Sequence, residues 1–173
     1  ALSEGMHTVQ VHGMDNAGNI GDNGLGQLLV DLSGPNTPRI KELRLGKEWT
    51  TQDSPYVTWT NPGDFGSGVT KYLVSLDNQV TDNGLQEFYS STLNSGIHVI
   101  KVKAVDALQQ ESDWSNEVIV KIDKTAPSNP IVSSSTHSNQ TQWFKADQPA
   151  FEWTTPSDDS GIRGYFYSID RLS

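Results

Sequence analysis

The stretch Trp49-Thr50-Thr51-Gln52-Asp53-Ser54-Pro55-Tyr56-Val57-Thr58-Trp59-Thr60-Asn61-Pro62 returns later in the chain as Trp143-Phe144-Lys145-Ala146-Asp147-Gln148-Pro149-Ala150-Phe151-Glu152-Trp153-Thr154-Thr155-Pro156. Trp49, Pro55, Trp59, Thr60 and Pro62 each meet the same residue type 94 positions on. Such agreement in rare residue types at one offset is the mark of an internal repeat. Matches on either side extend it. Leu2-Ser3-Glu4-Gly5-Met6-His7-Thr8-Val9-Gln10-Val11 corresponds to Leu93-Asn94-Ser95-Gly96-Ile97-His98-Val99-Ile100-Lys101-Val102, and Asp15 to Asp106, at an offset of 91. Pro35-Asn36-Thr37-Pro38 corresponds to Pro127-Ser128-Asn129-Pro130 at 92, and Tyr72, Ser75 and Asp77 to Tyr165, Ser168 and Asp170 at 93. The slow drift is what loop insertions produce. The repeat is therefore about 92 residues long.

This period divides the chain into residues 1–33, the closing part of one unit with its last two strands; 34–125, a complete unit; and 126–173, the opening part of a further unit with its first three strands. Inside the complete unit the apolar pattern has period two. Tyr72, Val74 and Leu76 alternate with Lys71, Leu73 and Ser75; His98, Ile100, Val102 and Ala104 alternate with Val99, Lys101, Lys103 and Val105; Val118 and Val120 alternate with Ile119 and Lys121. Alternation sends one set to a buried face and the other toward solvent, which is the signature of half-buried strands. Turn formers separate them at Asn61-Pro62-Gly63-Asp64, Asp82-Asn83-Gly84 and Asn94-Ser95-Gly96. About seven strands in such a length predict an all-β, antiparallel two-sheet β-sandwich, repeated in tandem. The expected inner layer is Trp59, Tyr72, Val74, Leu76, Phe88, Leu93, Ile100, Val102, Ala104, Val118 and Val120.

These residues resemble a known family. Trp59 followed by Thr60-Asn61-Pro62 is similar to the core tryptophan and following proline of fibronectin type III domains, and Tyr72-Leu73-Val74 to their third strand. The run from Leu93 to Asp106 is similar to their corner segment and sixth strand, with His98, and His7 before it, where that family has tyrosine. Asp15-Asn16-Ala17-Gly18-Asn19 and Asp123-Lys124-Thr125-Ala126-Pro127 resemble segments of bacterial Ig-like repeats. The resemblance implies the fold, and an exported setting at the cell surface or outside the cell. It does not imply an activity, because such folds host many.

Composition narrows the function classes. A net charge of −9 and the lack of any Lys/Arg run oppose binding to nucleic-acid phosphates. The absence of cysteine excludes disulfides, thiolate metal sites and cysteine nucleophiles. No apolar run is long enough for a membrane span, so no insertion is expected. Catalysis needs converging groups, and the chain offers His7, His12, His98 and His137 with no Gly-x-Ser-x-Gly elbow. His7 and His98 share one repeat position, which reads as a hydrogen-bonded corner, and Asp158-Asp159 sit in a Pro-Ser-Asp-Asp-Ser-Gly turn. No catalytic residue is expected, and the chain reads as a non-enzyme.

Two sites are worth testing. Asp15, Asn16, Asn19 and Asp22 form the richest oxygen cluster and the one candidate for calcium, which takes six to eight oxygen ligands; no other cofactor is expected. Trp114 has no repeat counterpart and is the candidate ligand contact for a polysaccharide or surface protein. Asn139-Gln140-Thr141 fits the N-glycosylation pattern. Each junction, Leu32–Pro38 and Ile122–Pro130, carries prolines that fix φ and favour extended backbone. The reading is a semi-rigid spacer or display rod whose partners are neighbouring repeats. Its rival is an adhesion module that binds carbohydrate or protein. The partial end units, complementary in strand content, are expected to stay disordered or to self-associate by strand swapping.

Overall fold

The computed structural model describes residues 1–43, 48–139, 141–145 and 147–169, and among them there is no helix. The strands are β1 (Gly5–Val11), β2 (Gly24–Val30), β3 (Glu42–Leu43), β4 (Tyr56–Thr58), β5 (Val69–Leu76), β6 (Gln79–Asp82), β7 (Phe88–Ser90), β8 (Gly96–Asp106), β9 (Val118–Ile122), β10 (Val132–Ser134) and β11 (Phe151–Trp153). β3 to β9 make two antiparallel sheets, ordered β3-β4-β7 and β6-β5-β8-β9. Their inner faces enclose Ile40, Val57, Trp59, Tyr72, Val74, Leu93, Ile100, Val102, Ala104, Val120 and Ile122. Two sheets of this kind bury alternate residues of each strand between them, which accounts for the period-two pattern of β5 and β8.

β1 and β2 form a separate antiparallel pair, and so do β10 and β11. The first repeats the register of β8 and β9: Gly5 lies opposite Val30 and His7 opposite Leu28, as Gly96 lies opposite Ile122 and His98 opposite Val120. Gly5 and Gly96 both have positive φ, at 114° and 144°, a conformation that glycine adopts without a Cβ penalty. The rings of Trp59 and Tyr72 meet edge-on at 5.5 Å, and those of Trp153 and Tyr165 also stand 5.5 Å apart. The repeated tryptophans thus keep the same aromatic neighbour.

Several expectations are corrected. Phe88 is not in the inner layer: it is 41% exposed and stacks on Tyr56 at 5.5 Å. The register explains this, because Val57 faces Tyr89 and both turn inward, leaving Thr58 and Phe88 on the outside. Leu76 and Val118 are only partly buried at the margin of the core, whereas Ile40, Val57 and Ile122 lie within it. β6 had no counterpart in the reading of the sequence. It follows β5 through a tight turn at Asp77 and Asn78, both at positive φ (50° and 69°), which is the backbone of a two-residue hairpin. Residues 162–168, expected as a third strand of the last segment, make no ladder. Their counterpart β5 is held by β6 on one side and β8 on the other, and the last segment has no described strand equivalent to either. Within this chain β1 pairs with β2, and β10 with β11, so neither end segment lacks ordered strands.

Candidate functional site

The β1 and β8 corners are built alike. His7 Nε2 bonds the Ser3 carbonyl at 2.7 Å, and His98 Nε2 bonds the Asn94 carbonyl at 3.0 Å, each four residues back. In the second corner, Asp77 adds a brace from the β5–β6 turn. Its Oδ2 meets His98 Nδ1 at 2.7 Å and its Oδ1 accepts the Val99 amide at 2.8 Å. Burial opposes the charge on His98, but the bonds to Asp77 and Asn94 and the charge of Asp77 outweigh it and raise the imidazole above its usual 6.5. Burial likewise works against ionised Asp77, and the bonds from His98 and Val99 prevail and lower it. Both histidines act as corner fasteners.

The expected calcium loop folds onto itself. Asp15 Oδ1 accepts the amides of Ala17 (2.9 Å) and Asn19 (2.8 Å), and its Oδ2 accepts the Asn19 side-chain amide at 2.7 Å. These bonds, led by the Asn19 side chain, keep Asp15 below the usual carboxylate value. Asn16 and Asp22 are exposed in the same loop, and the structure does not bring them to Asp15 in any bonded arrangement.

Trp114 sits where the chain between β8 and β9 runs back along β8. There, serine hydroxyls take the place of carbonyl acceptors: Ser112 Oγ accepts the Ala104 amide (2.9 Å) and Ser115 Oγ the Val102 amide (3.0 Å). This fixes Trp114 over the outward lysines of β8, with Lys103 Nζ 4.8 Å and Lys101 Nζ 5.8 Å from the ring centre, within the range of cation–π attraction. Lys103 is also paired with Glu111. The half-buried ring is thus engaged by the protein's own cations. Trp49 is half-buried and Trp143 fully exposed, so this repeated pair does not share one environment.

The β2 tail also touches the sandwich through residues far apart in the sequence. Asp31, just past β2, accepts the Ser67 amide at 2.7 Å through Oδ2, and bonds to Ser67 hold it below the usual carboxylate value. It rests directly on Gly66: a Cβ there would lie 2.2 Å from Asp31 Cγ. Gly34 in turn packs on the backbone of Glu111, with its would-be Cβ 2.8 Å from that carbonyl oxygen. Pro35 and Pro38 are buried against the sandwich, and the Asn36 amide donates to the Gly63 carbonyl at 3.0 Å. The same backbone bond recurs after β9, from the Ser128 amide to the Ser157 carbonyl at 3.1 Å. Asp123, the repeat counterpart of Asp31, is buried and is held low by Ser160 first and then by Thr125, whose amide bonds it at 3.0 Å. Ser160 is the counterpart of Ser67. The signal was present in the sequence as Asp31/Asp123, Asp64/Asp158 and Ser67/Ser160, at offsets of 92, 94 and 93.

The strand order defines an all-β, antiparallel two-sheet sandwich of the fibronectin type III-like class. No protein-family model matches the chain, and no curated protein does. Among solved structures it is similar to the fibronectin(III)-like modules of Clostridium thermocellum CbhA (TM-score 0.42, 18% identity, 70% of this chain and 64% of that one). It is also similar to the spore cortex lytic enzyme SleM of Clostridium perfringens (TM-score 0.41, 12% identity, 51% and 28%). A third is the PKD domain of an M14-like peptidase from a Thermoplasmatales archaeon (TM-score 0.37, 25% identity, 55% and 100%). The match thus spans under two thirds of the CbhA chain and little more than a quarter of SleM.

Proposed function

We propose that the chain is a non-catalytic spacer or display array of a multidomain protein, working outside the cell or at its surface, in which residues 1–33, 34–125 and 126–173 belong to successive copies of one sandwich. The observation that carries this reading is the seated junction. Asp31 on Gly66, Gly34 on Glu111 and two buried prolines leave the β2 tail little freedom relative to the sandwich that follows. A segment so held transmits orientation, which is what a stalk requires. The rival adhesive reading loses its best aromatic, because Trp114 is already engaged by Lys101 and Lys103. The apolar faces of the end hairpins, with Val9, Val11, Phe151 and Trp153 exposed, also suit pairing between copies.

The test is rotational. Amide relaxation on the full chain should give β1–β2 and the β3–β9 sandwich one shared correlation time. Separate, shorter times for β1–β2 would refute the spacer. Retention of the chain on polysaccharide, abolished by Trp114→Ala, would favour adhesion instead.

A further inference from the structure

The positions that fill the middle sandwich lie open in both end segments. Ile40, Val57, Trp59, Tyr72 and Val74 are 5% exposed or less, whereas their repeat counterparts Val132, Phe151, Trp153, Tyr165 and Tyr167 are 40% to 81% exposed. A groove of about 560 Å³ runs between these counterparts. Its floor is already set, since Trp153 and Tyr165 stand 5.5 Å apart, as Trp59 and Tyr72 do. The β1–β2 hairpin is open in the complementary way. Ile100, Val102 and Val120 are sealed in the sandwich, and their counterparts Val9, Val11 and Leu28 are 46% to 64% exposed. The backbone is open too. In the middle sandwich β8 lies between β9 and β5, but among the described residues its counterpart β1 is paired with β2 alone. Residues 162–168, the counterpart of most of β5, join no ladder. A strand edge with unpaired amides and carbonyls beside an apolar face invites a further strand.

The hairpin and the groove belong to opposite ends of the middle sandwich. The β2 tail meets that sandwich at Gly66, ahead of β5, and at Glu111, beyond β8. Lys124, past β9, bonds to Asp53 ahead of β4 and to Leu93 and Ser95 ahead of β8. Between these ends lie the eleven residues of β8, roughly 35 Å of strand. One copy therefore keeps its own hairpin away from its own groove.

We propose that the face made by Val132, Phe151, Trp153, Tyr165 and Tyr167 is covered by the β1–β2 hairpin of a second copy of this chain, with β1 adding antiparallel to residues 165–169. The middle sandwich sets the register. Tyr72 lies opposite Ala104, Val74 opposite Val102 and Leu76 opposite Ile100. At the joint, Tyr165 then meets Gly13, Tyr167 meets Val11 and Ile169 meets Val9. A slip of one residue would turn Val9 and Val11 to solvent and leave the groove uncovered. The inference rests on the assignment of residues 1–33 and 126–173 to copies of one sandwich, and it names their partner.

The experiment follows the mass of the full chain by sedimentation over a wide concentration series, with amide exchange at each end of the series. Mass should rise above that of a monomer, and exchange of the Tyr167 amide should slow at least tenfold with it. Val11→Asp spoils the hairpin face and Tyr167→Asp the groove, both at exposed positions, so Val74 and Val102 in the middle sandwich should keep their protection. Each variant alone should self-associate at least tenfold more weakly. An equal mixture of the two should recover a complex of two chains, because one variant keeps a sound groove and the other a sound hairpin. A monomer at every concentration, or a mixture that stays monomeric, overturns the proposal. Self-association that survives in Val11→Asp would mean grooves meeting grooves, and overturns it as well. The spacer reading fails separately: a monomer in which β1–β2 and the sandwich share one correlation time removes the joint and keeps the spacer, and association with β1–β2 tumbling freely in the dilute monomer does the reverse.

Discussion

Replacing Trp59 by alanine removes the largest side chain from the layer between the two sheets. The indole is 2% exposed and lies edge-on to Tyr72 at 5.5 Å. Truncating a buried tryptophan loses its transfer free energy and leaves a cavity, together about 3 to 5 kcal/mol. For a unit of this size that corresponds to a fall of roughly 12 °C or more in melting temperature. Tyr72, whose hydroxyl is pushed up to about 12 by burial and by Glu87, would lose its cover. Trp153 supplies the control, since it too is followed by threonine and then, one residue on, by proline, but is 40% exposed. Its replacement by alanine should cost about 1 kcal/mol or less. Native-state amide exchange at Val74 and Val102, which lie in the middle sandwich, reads the first loss without interference from the end hairpins. Equal effects of the two substitutions, or loss of less than about 1 kcal/mol of protection in Trp59→Ala, would refute the core assignment. The indole nitrogen of Trp59 has no bonding partner, so Trp59→Phe should recover about half of the alanine loss or more.

Three further outcomes are expected. The Asp77–His98 brace gives a pH signature: lowered Asp77 contributes stability above the unfolded carboxylate value and loses it as pH falls through its folded value, while raised His98 contributes fully below 6.5 and loses it as pH rises through its folded value. The melting-temperature gap between wild type and Asp77→Asn should therefore be widest near about pH 5 to 6 and narrow on either side, and a flat gap would dissolve the brace. Gly66→Ala places a Cβ on the Asp31 carboxylate and should speed exchange of the Ser67 amide at least tenfold while Val74 and Val102 stay protected; an unchanged Ser67 would mean that Asp31 is not seated there. Trp114→Ala should lower stability by about 1 kcal/mol through loss of the Lys101 and Lys103 contacts, and no change in urea midpoint would show those contacts to be idle.

What could be read from the sequence was what repeats within one unit. Trp59, Tyr72, Val74, Ile100 and Val102 declare themselves by recurrence and alternation, and all are buried. Phe88 was misplaced because a three-residue strand carries too little alternation to fix its face; only its pairing with Thr58 does so. Ile122 continues the Val118 and Val120 alternation to the end of β9 and was legible there, whereas Ile40 lies outside any strand and is held by a bond from its amide to Asn116 Oδ1 at 3.1 Å, far along the chain. The bond between Ser67 and Asp31 was passed over for another reason. Its two residues lie on separate loops, each resembling ordinary turn chemistry in isolation, and only their joint recurrence as Asp123 and Ser160 marks them in the sequence.

Gly66 gives the proposed array a way to lengthen. The middle unit carries a socket at its head, where the missing side chain admits a carboxylate, and a matching peg, Asp123, at its tail. Peg and socket lie on opposite ends of one gene segment, so duplicating that segment copies both halves of the coupling together. In the proposed array the contact would run head-to-tail without closing on itself, so each added copy would inherit the angle of the last. A lineage can then tune reach by copy number alone, with no new surface to evolve.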